Sequence, residues 1–249
     1  MKPILRRKQA DRHGQSFTEL ALVLLILALL LAGVVEYGFM LNSYLHVLDG
    51  AREGARFSSN SNPFYLNPVT QEYEINNPEQ QFYISTAAEV ASVMSPILLR
   101  PSSDPVKADD VVITVYSVTY LNATSTWSIV QYPTQDPNGW SLCTHYKNGN
   151  VATFFSLRGE AIPPYLRDAN WAVCSPQRTK FTSGNALLQS RLSTNAPATG
   201  LLIVEVFYHY AQLLKLPVFT SVIPDPIPIH TYTIMPLSAS EPTPTYAGP

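Results

Sequence analysis

The sequence predicts an α+β protein: a long N-terminal transmembrane helix that continues into a globular head built on an antiparallel β-sheet. Three observations predict it. Leu20 to Val35 is an apolar run without one polar side chain. A stripe at 4,3,4,3,4 spacing (Tyr37, Leu41, Tyr44, Leu48, Ala51, Ala55) carries the same helix onward. From Val111 the period changes to short β-branched and aromatic runs separated by Pro, Asn and Gly.

The apolar run explains the helix. Extended back to Phe17 and on to Met40, broken only by Thr18, Glu19 and Glu36, it exceeds the roughly 20 residues that span a hydrocarbon core. Lys2, Arg6, Arg7, Lys8 and Arg12 precede it, and no Lys or Arg falls between Gln15 and Ala51. The positive-inside rule then places the N-terminus in the cytoplasm and everything after about residue 40 outside it. The expected helix runs from Phe17 to about Phe57.

Charge excludes one class of partner. The net charge is −2, but setting aside the five leader cations and Asp11 leaves 11 basic against 17 acidic residues, about −6 from Gln15 onward. Nucleic-acid binding needs a basic face that releases phosphate counterions, so no nucleic acid is expected as a partner.

A secretory signal peptide needs small residues at −3 and −1 of its cleavage site. Ala32 is preceded at −3 by Leu30, Gly33 by Leu31 and Gly38 by Glu36, so each candidate meets a large or charged group. What precedes the run is Gly14-Gln15-Ser16-Phe17-Thr18-Glu19, a glycine closing a basic leader with a carboxylate five positions on. This Gly-x-x-x-x-Glu pattern resembles the prepilin-peptidase site of type IV pilins and their relatives. The resemblance implies a cut between Gly14 and Gln15. A carboxylate in the first turn of a membrane helix is favoured by the helix dipole and could pair with the new amine at Gln15 of a neighbour; the plainer reading of Glu19 is a cap at the lipid headgroups.

The continuation is Val34-Val35-Glu36-Tyr37-Gly38, then Ala51-Arg52-Glu53-Gly54-Ala55-Arg56. Together with the processed apolar helix, residues 14–57 resemble the TadE-like pseudopilins of tight-adherence (Flp-type) pili. Leu20 stands after Glu19 where major Flp pilins usually carry tyrosine, which points away from a main filament subunit. The resemblance implies a non-enzymatic accessory subunit, located in the inner membrane with its head extracytoplasmic. Its partners would be the lipid bilayer, a prepilin peptidase, and other pilin-like subunits or the assembly platform. It implies no cofactor.

The expected organisation is a leader over 1–14, the helix over 15–57, an α+β head over 58–237 and a loose tail over 238–249. Tyr37, Leu41, Tyr44 and Leu48 are candidate packing residues, facing either the chain's own head or sister helices, with the head favoured for the outer half. Arg52 and Arg56, one turn apart, are expected to meet acidic head residues or the last helical carbonyls.

In the head, Ser58 to Gln81 reads as an irregular loop and Ser85 to Met94 as a helix with Ala87, Val90, Ala91 and Met94 on one face. Strands are expected at 111–120, 126–132, 151–157, 201–210 and 229–235, with the helices on one face of the sheet. Ile223 to Pro228 is expected to be extended. Cys143 and Cys174 lack CxxC spacing and a nearby His cluster, so no metal site is predicted. Outside the cytoplasm a bond between them, closing about 30 residues, is worth roughly 3–4 kcal/mol; inside, they are two buried thiols.

No HExxH, GxSxG, GxxxxGK[ST] or GxGxxG occurs. Asp109-Asp110 reads as a solvated turn before a strand rather than an acid/base pair. His209 and His230 lie on the last two strands and could meet there, as a structural pair more than as metal ligands. Asn122-Ala123-Thr124 matches a glycosylation acceptor, a frequent chance triplet. Two other functions compete: an uncleaved, signal-anchored binding module, for which Gly14 and Glu19 would not matter, and a membrane-tethered enzyme, for which no residue set converges.

Overall fold

A computed structural model describes residues 13–61, 63, 65–66, 73–74, 81–121, 126–133, 137–147, 171–192 and 200–237. Most of the leader, the expected strand 151–157, the Asn122 triplet and the tail 238–249 lie outside the described residues.

Helix α1 (His13–Ser58) is continuous over 46 residues, about 69 Å at 1.5 Å per residue. Nothing in His13-Gly14-Gln15-Ser16 stops the helical ladder, so it begins before the expected Phe17. Glu19 therefore stands in the second turn, not the first, and the dipole argument for it weakens accordingly. The apolar window of α1 has no buried residue. It is the one helix among the described residues long and apolar enough to cross a membrane.

The expected loop after α1 contains a short antiparallel ladder, β1 (Tyr65–Leu66) with β2 (Tyr73–Glu74). Helix α2 (Gln81–Val93) starts four residues earlier than its periodicity suggested, because Tyr83 and Ile84 bury their side chains in its first turn. Ala87, Val90, Ala91 and Met94 are all buried, as their shared face predicts.

The sheet follows as β3 (Asp110–Leu121), β4 (Thr126–Tyr132), β5 (Trp140–Ser141), β6 (Gly200–Tyr210) and β7 (Ile227–Leu237). Its order is β4-β3-β6-β7, antiparallel throughout, with β5 continuing the β4 edge against Val112 and Ile113. Short helices α3 (Leu142–Lys147), α4 (Ala186–Arg191) and α5 (Pro217–Thr220) decorate the connections. The expected extended stretch from Ile223 is instead the end of a turn following α5, and β7 begins only at Ile227.

Both faces of the sheet are covered, which corrects the one-faced layering expected. Val111, Ile113 and Val115 of β3 and Leu202, Val204 and Val206 of β6 share a core with α1 and α2. On the other face Tyr116, Val118, Leu201 and Ile203 pack with Phe181, Leu188 and Leu192, brought by the segment that carries α4. The signal is in the strands: Val111 to Val118 and Leu201 to Tyr208 are buried without alternation, the pattern of a sheet wet on neither side.

Candidate functional site

The conspicuous site is α1 and its joint to the head. Gly14 and Gln15 lie in the helix's first turn, and Glu19 stands on its exposed surface one turn further on. From Phe17 to Ala28 every residue is exposed. A hydrocarbon surface of this length standing in water would be strongly unfavourable, and lipid removes that cost.

Beyond the apolar run, α1 divides by face. Met40, Val47, Gly50, Ala51, Gly54, Ala55 and Ser58 turn toward α2 and the sheet. Tyr37, Leu41 and Tyr44, nearer the apolar run, are 60%, 41% and 39% exposed, and Leu48 is half-buried. The stripe read from sequence thus splits: its outer members Ala51 and Ala55 meet the head, while the aromatic inner members do not.

Gly54 stands in the motif quoted above and Gly50 does not, and sequence reasoning gave neither a packing role, yet they set the approach of α2. A Cβ on Gly54 would lie 2.3 Å from Val90 Cγ2, and one on Gly50 would lie 2.6 Å from Met94 Cγ and 3.0 Å from the Val90 carbonyl. The spacing Gly50-x-x-x-Gly54 is the signal that could have found them. The hydroxyls of Ser58 and Thr86 are hydrogen-bonded at the end of the same seam.

Arg52 and Arg56 make their closest ion pairs on α1 itself, and Glu89 of α2 adds a weaker attraction to Arg56. Arg52 is 3.6 Å from Asp49, and Arg56 Nε donates to Glu53 Oε2 at 2.8 Å, each pair on the helix's own surface at i, i+3. The inward positions are occupied by Ala and Gly, so the long cations face water, where such pairs contribute little.

Glu36 makes the joint. Its carboxylate accepts the Tyr210 hydroxyl at 2.8 Å, at the end of β6, and the Leu213 and Leu214 amides at 2.8 Å each. Higher up, Thr231 Oγ1 of β7 donates to the Val47 carbonyl at 3.4 Å. The head is thereby tied to α1 at the height where the apolar run ends.

Within the head, Cys143 and Cys174 are disulfide-bonded with Cα atoms 5.8 Å apart. The bond lies beside a column of rings: Tyr83 on Trp140 at 5.7 Å, Trp140 on His145 at 5.5 Å, and Tyr146 on Trp171 at 5.0 Å. Burial among these rings lowers the His145 pKa to about 4, so the imidazole is neutral at pH 7.

Asp109 and Asp110 are buried, not the solvated turn expected. Asp110 accepts four hydrogen bonds, from the Val111, Cys143 and Gln177 amides at 2.8, 3.0 and 2.8 Å and from Ser141 Oγ at 2.6 Å. Burial pushes its pKa up to about 6, and these four donors oppose the rise. Asp109 accepts the Arg100 amide at 2.7 Å and both the amide and Nδ1 of His209, at 2.7 and 3.0 Å. Burial raises its pKa and the His209 contacts pull it back.

His209 and His230 do not meet, because the register sets His209 opposite Pro228 and His230 opposite Phe207. His230 Nε2 lies 3.0 Å from Glu205 Oε1, which also accepts the Lys180 amide at 3.0 Å, while Thr179 Oγ1 bonds the other oxygen. These acids act as staples: each fastens a distant backbone segment to the sheet. A cleft of about 240 Å³ beside them is lined by Asn138, Thr144, Ser175, Pro176, Gln177 and Arg178, which include no carboxylate, imidazole or thiol. Among the described residues no group of three or more His, Cys, Asp or Glu could hold a metal.

Comparison with known proteins agrees with the helix. Residues 14–56 match the family described as TadE-like protein. No curated protein and no solved structure matches the chain. The matched stretch is α1 nearly to its end, from the second helical residue through the Gly50–Gly54 seam.

Proposed function

We propose that this chain is an accessory, pilin-like membrane subunit serving assembly of tight-adherence (Flp-type) pili. The observation that carries the proposal is the coincidence of three boundaries: the TadE-like match over 14–56, the continuous helix His13–Ser58, and its wholly unburied apolar window.

In this reading residues 1–14 are a cytoplasmic leader removed by a prepilin peptidase after Gly14, residues 15–57 anchor and pack, and 58–237 form the extracytoplasmic head, followed by the tail 238–249. The disulfide supports a head outside the reducing cytoplasm. The leader cations support an inner-membrane protein with its N-terminus inside. Tyr37, Leu41, Tyr44 and Leu48 then offer a surface to a sister helix, or to the assembly platform, since the first three are exposed and Leu48 is half-buried. Glu19 would accept the amine of a neighbouring Gln15 at the mouth of the membrane. The work is done by insertion, processing and packing, with no cofactor.

The test is N-terminal sequencing after expression with and without a prepilin peptidase. The expected mature N-terminus is Gln15, and Gly14→Val leaves a longer chain in both cases. A mature protein that keeps Met1 in the presence of an active peptidase overturns the processing reading.

A further inference from the structure

We propose that residues 213–223, between β6 and β7, form a second membrane-contacting element whose apolar tip sits among the acyl chains of the leaflet on the head's side. Leu213, Leu214, Val218, Val222 and Ile223 are all exposed, Val222 by 82%. Lys215 is the one charged side chain in the segment, and it pairs with Asp225 at its neck, 3.7 Å away. Isolated exposed apolar side chains are ordinary, but a contiguous set on one loop marks a contact surface.

Its height identifies the contact. A Cβ on Gly33 would lie 3.2 Å from the Phe219 ring of α5, so the ring reaches the helix where there is no side chain. Gly33 is two residues inside the end of the apolar run at Val35, about 5 Å below Glu36 at 1.5 Å per residue. Interfacial apolar faces sit roughly 5–10 Å into the headgroup and acyl boundary. The Leu213 and Leu214 amides, bonded to Glu36, hold the tip at that depth.

The backbone is prepared for lipid as well. Hydrocarbon tolerates only polar groups that are satisfied internally. The amides of Phe219 and Thr220 bond the Leu216 carbonyl at 2.9 and 3.0 Å, that of Ser221 bonds Pro217 at 3.1 Å, and those of Val222 and Ile223 bond Phe219 at 3.1 and 2.8 Å. Pro217 has no amide to satisfy. The Thr220 and Ser221 hydroxyls fold back onto the Pro217 and Val218 carbonyls. Five consecutive amides and two hydroxyls of the segment are thus bonded within it, while its apolar side chains stand exposed.

The inference rests on α1 crossing the bilayer, and on neither cleavage nor pilus assembly. Its test uses the full chain in liposomes at high lipid-to-protein ratio, with a phosphatidylcholine that carries a diazirine on its acyl chain. After irradiation and peptide mapping, adducts are expected on 213–223 as well as on the apolar half of α1, several-fold above those on Asp49 to Phe57. Val218→Asp combined with Val222→Asp, both at exposed positions, should cut labelling of the segment several-fold and leave that of α1 unchanged. Labelled α1 with an unlabelled 213–223 overturns the inference and spares the membrane helix, as does cross-linking of the segment to a second copy in place of lipid. An unlabelled α1 overturns both.

Discussion

The Tyr210 hydroxyl donates to the Glu36 carboxylate at 2.8 Å, joining the end of β6 to the exit of the apolar helix across 174 positions of sequence. With the Leu213 and Leu214 amides on the same carboxylate, three donors converge on one side chain. Hydrogen bonds to an ionised acceptor are roughly twice as strong as neutral ones, so this joint concentrates its strength at one residue.

Glu36→Ala should therefore release the loop. Amide exchange of the peptide covering 211–216 is expected to speed up at least several-fold, read by mass spectrometry in detergent or nanodiscs. Tyr210→Phe, which removes one of three bonds, should give a smaller increase. Unchanged exchange in Glu36→Ala would show that the joint is held by something else.

The seam between α1 and α2 makes a prediction of opposite signs. Gly54→Ala brings a methyl to 2.3 Å from the stiff Val90 side chain; overpacking of this kind costs about 1–3 kcal/mol, more than the roughly 1 kcal/mol of helix propensity gained. Gly38→Ala meets nothing within 4 Å, and should be neutral or stabilising. Thermal unfolding of the two variants side by side checks the contrast.

Cys143→Ser with Cys174→Ser frees a 31-residue separation. The expected loss is about 3–4 kcal/mol, measured by denaturant unfolding of the head against the oxidised parent. Reducing agent should lower the parent's midpoint and leave the variant's where it was.

His145 predicts a pH dependence. Its folded pKa, about 4, lies below its ordinary value of 6.5, so the unfolded chain binds the proton more readily. Its contribution is fully present above pH 6.5 and is lost as pH falls toward 4, by at most about 3 kcal/mol. Asp110 acts in the opposite sense: its pKa is raised to about 6, so its contribution is lost as pH rises from about 4 to 6. The two partly cancel in the parent protein. His145→Phe should unmask the Asp110 slope, leaving a head relatively more stable at pH 4.5 than the parent at the same pH. Parallel unfolding curves for parent and variant at pH 7 and 4.5 would refute the assignment.

What was legible in the sequence follows from how local the physics is. The membrane helix is written in consecutive residues, and Ala51 and Ala55 follow from spacing alone, as do Ala87 and Val90 on α2 and Met94 just past its end. Asp110 was misread because its donors Cys143 and Gln177 lie 33 and 67 positions away, and a carboxylate before a strand has the same local sequence whether it faces water or three backbone amides. Glu36 stood inside a quoted motif, but its role depends on Tyr210, which no local pattern connects to it. The missed pairing of His209 and His230 is a matter of register, which sheet hydrogen bonding fixes and residue type does not. The second sheet layer was legible in principle, since β3 and β6 lack the alternation of a half-wet strand.

The joint at Glu36, reinforced above by Thr231 and the glycine seam, leaves no swivel between rod and globule. Torque applied to the apolar end of α1 is delivered to the sheet, so turning the rod about its axis sweeps the globule through the same azimuth. An array of such molecules would display every globule at one fixed compass bearing relative to its rod, and its outer relief would report the twist of the rods beneath.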